Sequence, residues 1–129
     1  MLSVRDVARR AKEASLKLAW LSTETKNKAL RLMAESIVAH GEGIIDVNRR
    51  EVSKAKAQGK SPAFVERLTL DKGRLEKMVL ALRRIEELPD PVGEIACMQR
   101  RPNGLQVGKM RVPLGVIGII FESRPDVTA

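Results

Sequence analysis

The 129 residues contain one cysteine, Cys97, so no disulfide can form within the chain. A lone thiol fits a reducing compartment, and a cytoplasmic location is expected. Aromatic residues make up only 2% of the chain, so a core must be built from Leu, Ile, Val, Ala and Met. The same scarcity leaves few platforms for stacking the bases of a single-stranded nucleic acid. There is one histidine, and no cluster of His, Cys and carboxylate has metal-ligand spacing. No apolar run approaches the length of a membrane span. The first ten residues carry Arg5, Arg9 and Arg10 and lack the apolar segment of a signal peptide. Internal repeats and low-complexity tracts are also missing.

What is present argues for a soluble globular protein: 43% hydrophobic and 31% charged residues. The net charge is +8 and the isoelectric point about 10.2, which would attract anions. The cations form no block. They alternate with carboxylates, as in Arg83-Arg84-Ile85-Glu86-Glu87, so a solvated surface explains them more simply than a nucleic-acid partner.

The first two thirds read as helices. Val4, Val7, Ala8, Ala11, Ala14, Leu18 and Leu21 recur at three- and four-residue spacing. Ser22 or Thr23 can cap a second helix carrying Ala29, Leu30, Met33, Ile37 and Val38. His40 followed by Gly41 reads as its end, with Gly41 expected in the left-handed cap conformation. A third helix is expected from about Gly43 to Gln58. Ser61-Pro62 should open a short helix to Leu68, with Pro at its first position. Asp71 to Glu87 should form another, with Leu75, Met78, Val79, Leu82 and Ile85 on one stripe. Pro89-Asp-Pro-Val-Gly93 marks a boundary. Beyond it, Ile95–Arg101 and Leu105–Val112 read as strands joined by Pro102-Asn103-Gly104, a strong hairpin signal.

The run Val116-Ile117-Gly118-Ile119-Ile120-Phe121 is apolar on both alternating faces. It reads as a strand buried on both sides of a parallel sheet. Such a strand needs parallel neighbours and a crossover helix, so the chain is expected to be the front piece of a larger enzyme. Glu122-Ser123-Arg124-Pro125-Asp126 follows at the carboxyl end, where open α/β sheets place ligands. There Arg124 can meet a phosphate or carboxylate with its planar fork, and Pro125 can fix the turn. Gly115 and Gly118 do not make a dinucleotide fingerprint, because they lie within or before the strand instead of after it. Cys97 lies on a hairpin arm with no histidine after it and is expected to be a buried or half-buried structural thiol. His40 has no Ser or Cys partner at readable spacing, so helix capping is expected of it.

Arg101-Pro-Asn-Gly-Leu105 and Val112-Pro-Leu-Gly-Val-Ile-Gly-Ile-Ile-Phe-Glu-Ser-Arg-Pro-Asp126 closely resemble the γ-glutamyl phosphate reductase family. This family, also called glutamate-5-semialdehyde dehydrogenase, belongs to the aldehyde dehydrogenase superfamily. Leu88-Pro-Asp-Pro-Val-Gly-Glu94 and Leu70-Asp-Lys-Gly-Arg74 are similar to it as well. The resemblance implies an α/β, aldehyde dehydrogenase-like fragment. Residues 1–88 would be the helical part of the cofactor domain, 94–112 an oligomerisation-type hairpin, and 113–129 the first strand and turn of the cofactor-binding sheet.

The implied reaction reduces γ-glutamyl phosphate with NADPH, releasing phosphate and glutamate-5-semialdehyde in proline biosynthesis. A cysteine thiolate displaces phosphate to give a thioester, which hydride then reduces. That cysteine is expected beyond Ala129 and Cys97 does not match it, so no catalytic residue is expected in the chain. By the same resemblance, Ile120, Phe121, Glu122, Ser123 and Arg124 line the cofactor crevice. Arg124 falls where the superfamily has an oxyanion-stabilising Asn, and would meet an anionic group of substrate or cofactor. The hairpin implies a homo-oligomer. A non-catalytic helical interaction module derived from the same family is the alternative; a separate chain carrying the missing cysteine domain would separate the two.

Overall fold

A computed structural model describes residues 3–128; residues 1, 2 and 129, the ends of the outer expected ranges, lie outside the described residues. The element order is α1 (Val4–Leu18), α2 (Thr23–Ala39), α3 (Gly41–Ala57), α4 (Pro62–Leu68), α5 (Lys72–Glu86), β1 (Ile95–Arg100), β2 (Gln106–Met110) and a 3-10 turn, Pro125–Thr128. The chain divides into two compact units. One comprises residues 3–23 and 89–118, the other 24–88 and 119–128.

In the first unit, α1 starts at a reciprocal cap. Ser3 Oγ accepts from the Asp6 amide at 3.1 Å, and the Ser3 amide donates to Asp6 Oδ2 at 3.3 Å. No residue of α1 is buried, and Val4 and Val7 lie open on its apolar stripe. The hairpin is antiparallel, with Ile95 opposite Met110 and Arg100 opposite Gln106. Its loop is one residue longer than a bare two-residue Asn-Gly turn. The Gly104 amide donates to Arg101 O at 2.9 Å, the Arg101 amide donates to Leu105 O at 2.8 Å, and Gly104 takes a left-handed φ of 86°. This is the three-residue loop with a glycine in the left-handed position. The register slips between Ala96 and Gln99, where Cys97 adopts φ 55°. Gly108 faces that bulge. A Cβ there would collide with the Met98 sulfur and press on Ile95.

The second unit holds the core. Ala34, Ile45, Ala55, Leu70, Leu75, Val79 and Leu82 are buried, with Ala34, Val79 and Leu82 in one cluster against Leu30 and Ile37. The stripe expected on α5 is thus seen at Leu75, Val79 and Leu82, spaced to one helix face. Ser61 and Asp71 cap α4 and α5 by accepting from the amides of Phe64 at 3.2 Å and Arg74 at 2.8 Å.

Three expectations change. Gly41 is not a left-handed cap: α2 and α3 are joined through His40 alone, and Gly41 is the buried first residue of α3. Its reason is steric, since a Cβ would stand 2.9 Å from Leu75 Cδ2. His40 does serve the end of α2, its Nδ1 donating to Ser36 O at 2.8 Å. Cys97 is exposed instead of buried, because nothing among the described residues covers the hairpin, and every residue of β1 and β2 is exposed with it. Finally, Val116–Phe121 forms no strand and stays exposed, with Ile120 fully open. A strand is made by hydrogen bonds to a neighbour, and among the described residues only β1 and β2 pair.

Gly41→Ala is expected to destabilise the helical unit by about 1–3 kcal/mol, despite alanine's better helix propensity, because Leu75 must move inside a packed core. Urea unfolding followed by circular dichroism measures it. A gain in stability would show that α3 can shift away from α5.

Candidate functional site

The turn Glu122–Asp126 is placed by two local devices. Ser123 takes φ 49°, a left-handed conformation unusual for a residue with a Cβ. Pro125 then opens the 3-10 turn, closed by the Val127 amide donating to Arg124 O at 3.1 Å. This agrees with the reading of Pro125 as the residue that fixes the turn.

Of the five residues expected to line a crevice, Arg124 borders a cavity of about 460 Å³. Ser123 stands beside a second border residue, since Arg67 Nε donates to Ser123 Oγ at 3.5 Å. Ile120, Phe121 and Glu122 are exposed and line none of it. The cavity floor is apolar, formed by Leu70, Met78, Ala81, Leu82 and Ile85. Cations stand around it: Arg67 from α4, Arg74 and Lys77 from α5, and Arg124 from the turn, with Glu66 and Asp126 as the acids.

Arg74 is held through both of its terminal nitrogens. Its Nη1 donates to Glu66 O and Thr69 O, each at 2.7 Å, and its Nη2 pairs with the Glu66 carboxylate. It closes the carboxyl end of α4, where the Thr69 amide also donates to Val65 O and Glu66 O. By contrast, the side chains of Lys77 and Arg124 make no hydrogen bond or ion pair among the described residues. The sequence signalled Arg124 by its place after an apolar run. It gave no sign of Arg67 or Lys77, because they come from helices about 50 residues upstream and only the fold gathers them.

One further side chain organises the cavity's edge. Asn48 of α3 donates from Nδ2 to Leu68 O at 2.8 Å and accepts from the Leu70 amide at 2.7 Å. It pairs with the α4–α5 connection as a neighbouring strand would, and holds Leu70 in its place in the floor.

Among the described residues no group of three or more His, Cys, Asp or Glu side chains could hold a metal ion. None of their helices is long and apolar enough to cross a membrane.

No family model matches the chain. Individual proteins do. The chain is 53% identical over 128 residues to a γ-glutamyl phosphate reductase of Carboxydothermus hydrogenoformans, covering 99% of this chain and 31% of that protein. It is 48% identical over all 129 residues to the corresponding protein of Lachnospira eligens. The γ-glutamyl phosphate reductase crystal structure from Thermotoga maritima superposes with a TM-score of 0.89 at 40% identity, over 94% of this chain and 29% of that one. The structure from Saccharomyces cerevisiae gives 0.91 at 31% identity, over 99% and 33%. The chain thus spans about a third of the length of the proteins it matches, and it matches their N-terminal portion throughout.

Proposed function

We propose, starting from a chain that corresponds end to end to the N-terminal portion of γ-glutamyl phosphate reductases, that it forms the front part of an NADPH-dependent glutamate-5-semialdehyde dehydrogenase acting in proline biosynthesis in the cytoplasm. The observation that carries this is the 53% identity sustained over 128 residues, hairpin and final turn included. In this reading the chain supplies the helical layer and the hairpin of an aldehyde dehydrogenase-like fold. Residues 113–121 become a sheet strand once neighbouring strands are present. The nucleophilic cysteine belongs to the part of the enzyme outside these residues. Cys97, exposed on a hairpin bulge, takes no part in the chemistry.

The donor set suits a phosphorylated dinucleotide in part. Ile120 and Phe121 offer exposed apolar surface for a ring, and Arg124 an unpaired guanidinium for a phosphate. When bound, the nicotinamide would supply hydride. The chain's own residues bind and orient. Glu122 and Ser123 shape the turn, and Arg124 presents its charge.

The test is a chimera in which this chain replaces the matching 31% of the Carboxydothermus reductase. It should oxidise glutamate-5-semialdehyde in the presence of NADP and phosphate, the reverse direction. A soluble chimera without that activity would overturn the reading. Within it, Arg124→Ala should raise the Michaelis constant for phosphate or for NADP by roughly tenfold or more, the loss expected of a charge-assisted hydrogen bond. Unchanged constants would remove Arg124 from the site.

The hairpin is proposed to mediate homo-oligomerisation. Every residue of β1 and β2 is exposed, and Ile95, Met98, Val107 and Met110 offer apolar contact along an open edge. Sedimentation at high concentration should show the chain self-associating, and a strictly monomeric species would contradict it.

A further inference from the structure

We infer that the cleft between α4, α5 and the final turn receives a phosphate ester with an apolar organic part, its phosphate held by Lys77 and Arg67 together with Arg124. The inference rests on the reading of Arg124 as an anion-facing residue and adds two cations from other elements.

The charge balance at the rim is the first argument. The Arg74–Glu66 pair is neutral, and the same guanidinium also donates to two carbonyls. What remains is Lys77, Arg67 and Arg124 against the single carboxylate of Asp126. The side chains of Lys77 and Arg124 have no protein partner among the described residues. Unpaired cations over a low-dielectric floor raise the local concentration of anions.

The floor supplies the second argument. Its apolar surface comes from Met78, half-buried, and Ala81 and Ile85, both exposed, beside the buried Leu70 and Leu82. An inorganic anion would leave that surface wet, and a purely apolar ligand would strip water from three charges. A phosphate ester satisfies both halves. A cavity of about 460 Å³ falls within the usual range for small-molecule sites, about 300–1,000 Å³.

The third argument is fixation. Ser123, at φ 49°, accepts from Arg67 Nε at 3.5 Å. This long contact sets the turn carrying Arg124 beside α4. A left-handed Ser held in place from another element is a common mark of a ligand-facing segment.

The probe is phenyl phosphate, titrated into the 129-residue chain and into the chimera. Backbone amide shifts and calorimetry report binding without any turnover. Saturable binding at residues 66–82 is expected, at least about fivefold tighter than for inorganic phosphate because the ring covers apolar floor. Lys77→Gln should weaken it by roughly tenfold, the loss of a charged hydrogen bond. Lys56→Gln, on α3 away from the cleft, should leave it unchanged. Equal weakening by both substitutions, equal affinity for inorganic phosphate, or no saturable binding would each overturn the inference. A chimera that binds phenyl phosphate but lacks reductase activity would remove the enzymatic reading and leave the site standing. An active chimera that does not bind it would do the reverse.

Discussion

Leu82→Ala should lower the unfolding free energy of the helical unit by about 2–5 kcal/mol, the cost of removing a large buried side chain plus the cavity left behind. Leu82 is 2% exposed and sits in the buried cluster with Ala34 and Val79, against Leu30 and Ile37. Those neighbours lie on helices held apart by their backbones, so collapse into the gap is limited. Because only seven apolar residues are buried among the described residues, this one substitution removes a large share of the core. Leu80→Ala on the same helix is the control. Leu80 is 46% exposed, and its loss should cost under about 1 kcal/mol, as for a surface change. Urea titration of both variants decides. Similar losses at the two positions would mean that α5 does not present this face inward.

Asn48→Ala should cost about 2–3 kcal/mol, more than its half-buried position suggests. The carboxamide makes two bonds at once, to Leu68 O at 2.8 Å and from the Leu70 amide at 2.7 Å. Truncation leaves a donor and an acceptor unmatched in a partly buried strip, and each carries its own desolvation cost. Asn48→Asp separates the two contributions. It keeps an acceptor for the Leu70 amide but sets a negative charge beside the Leu68 carbonyl, so it should restore little of the loss. Hydrogen exchange adds a local readout: the Leu70 amide should be protected in the parent chain and exchange much faster in both variants. A Leu70 amide that exchanges freely in the parent would show that the bond does not persist in solution.

The helices were legible because their signals are local. Ser61-Pro62 and Asp71 announce α4 and α5 through capping chemistry that needs only the next three residues, and the Leu75–Val79–Leu82 stripe follows from helical spacing. Gly41 was misread because its role is a close approach to Leu75, 34 positions away, which no neighbouring residue records. Val116–Phe121 carries a composition suited to a buried sheet strand, yet composition only states what a segment would accept. Pairing is made by a second strand, and none of the described residues provides one. The site divides in the same way. Arg124 was visible from its place after an apolar run, whereas Arg67, Lys77 and the Asn48 clamp depend on how α3, α4 and α5 fold back on one another.

The bulge at Cys97 and Met98 has a further effect on the hairpin. A regular strand sends odd and even residues to opposite sides. Here two residues of β1 stand against the single Gly108, so the alternation advances by an extra step. Ile95 and Arg100, five positions apart, therefore share one side, opposite Met110 and Gln106, while Ala96 and Gln99 share the other. Met98 and Ile95 both lean over Gly108 because that residue has no side chain to resist them. The bulge acts as a phase shift written into the ribbon. It puts an aliphatic and a cationic residue on one surface, and anything docking there meets both.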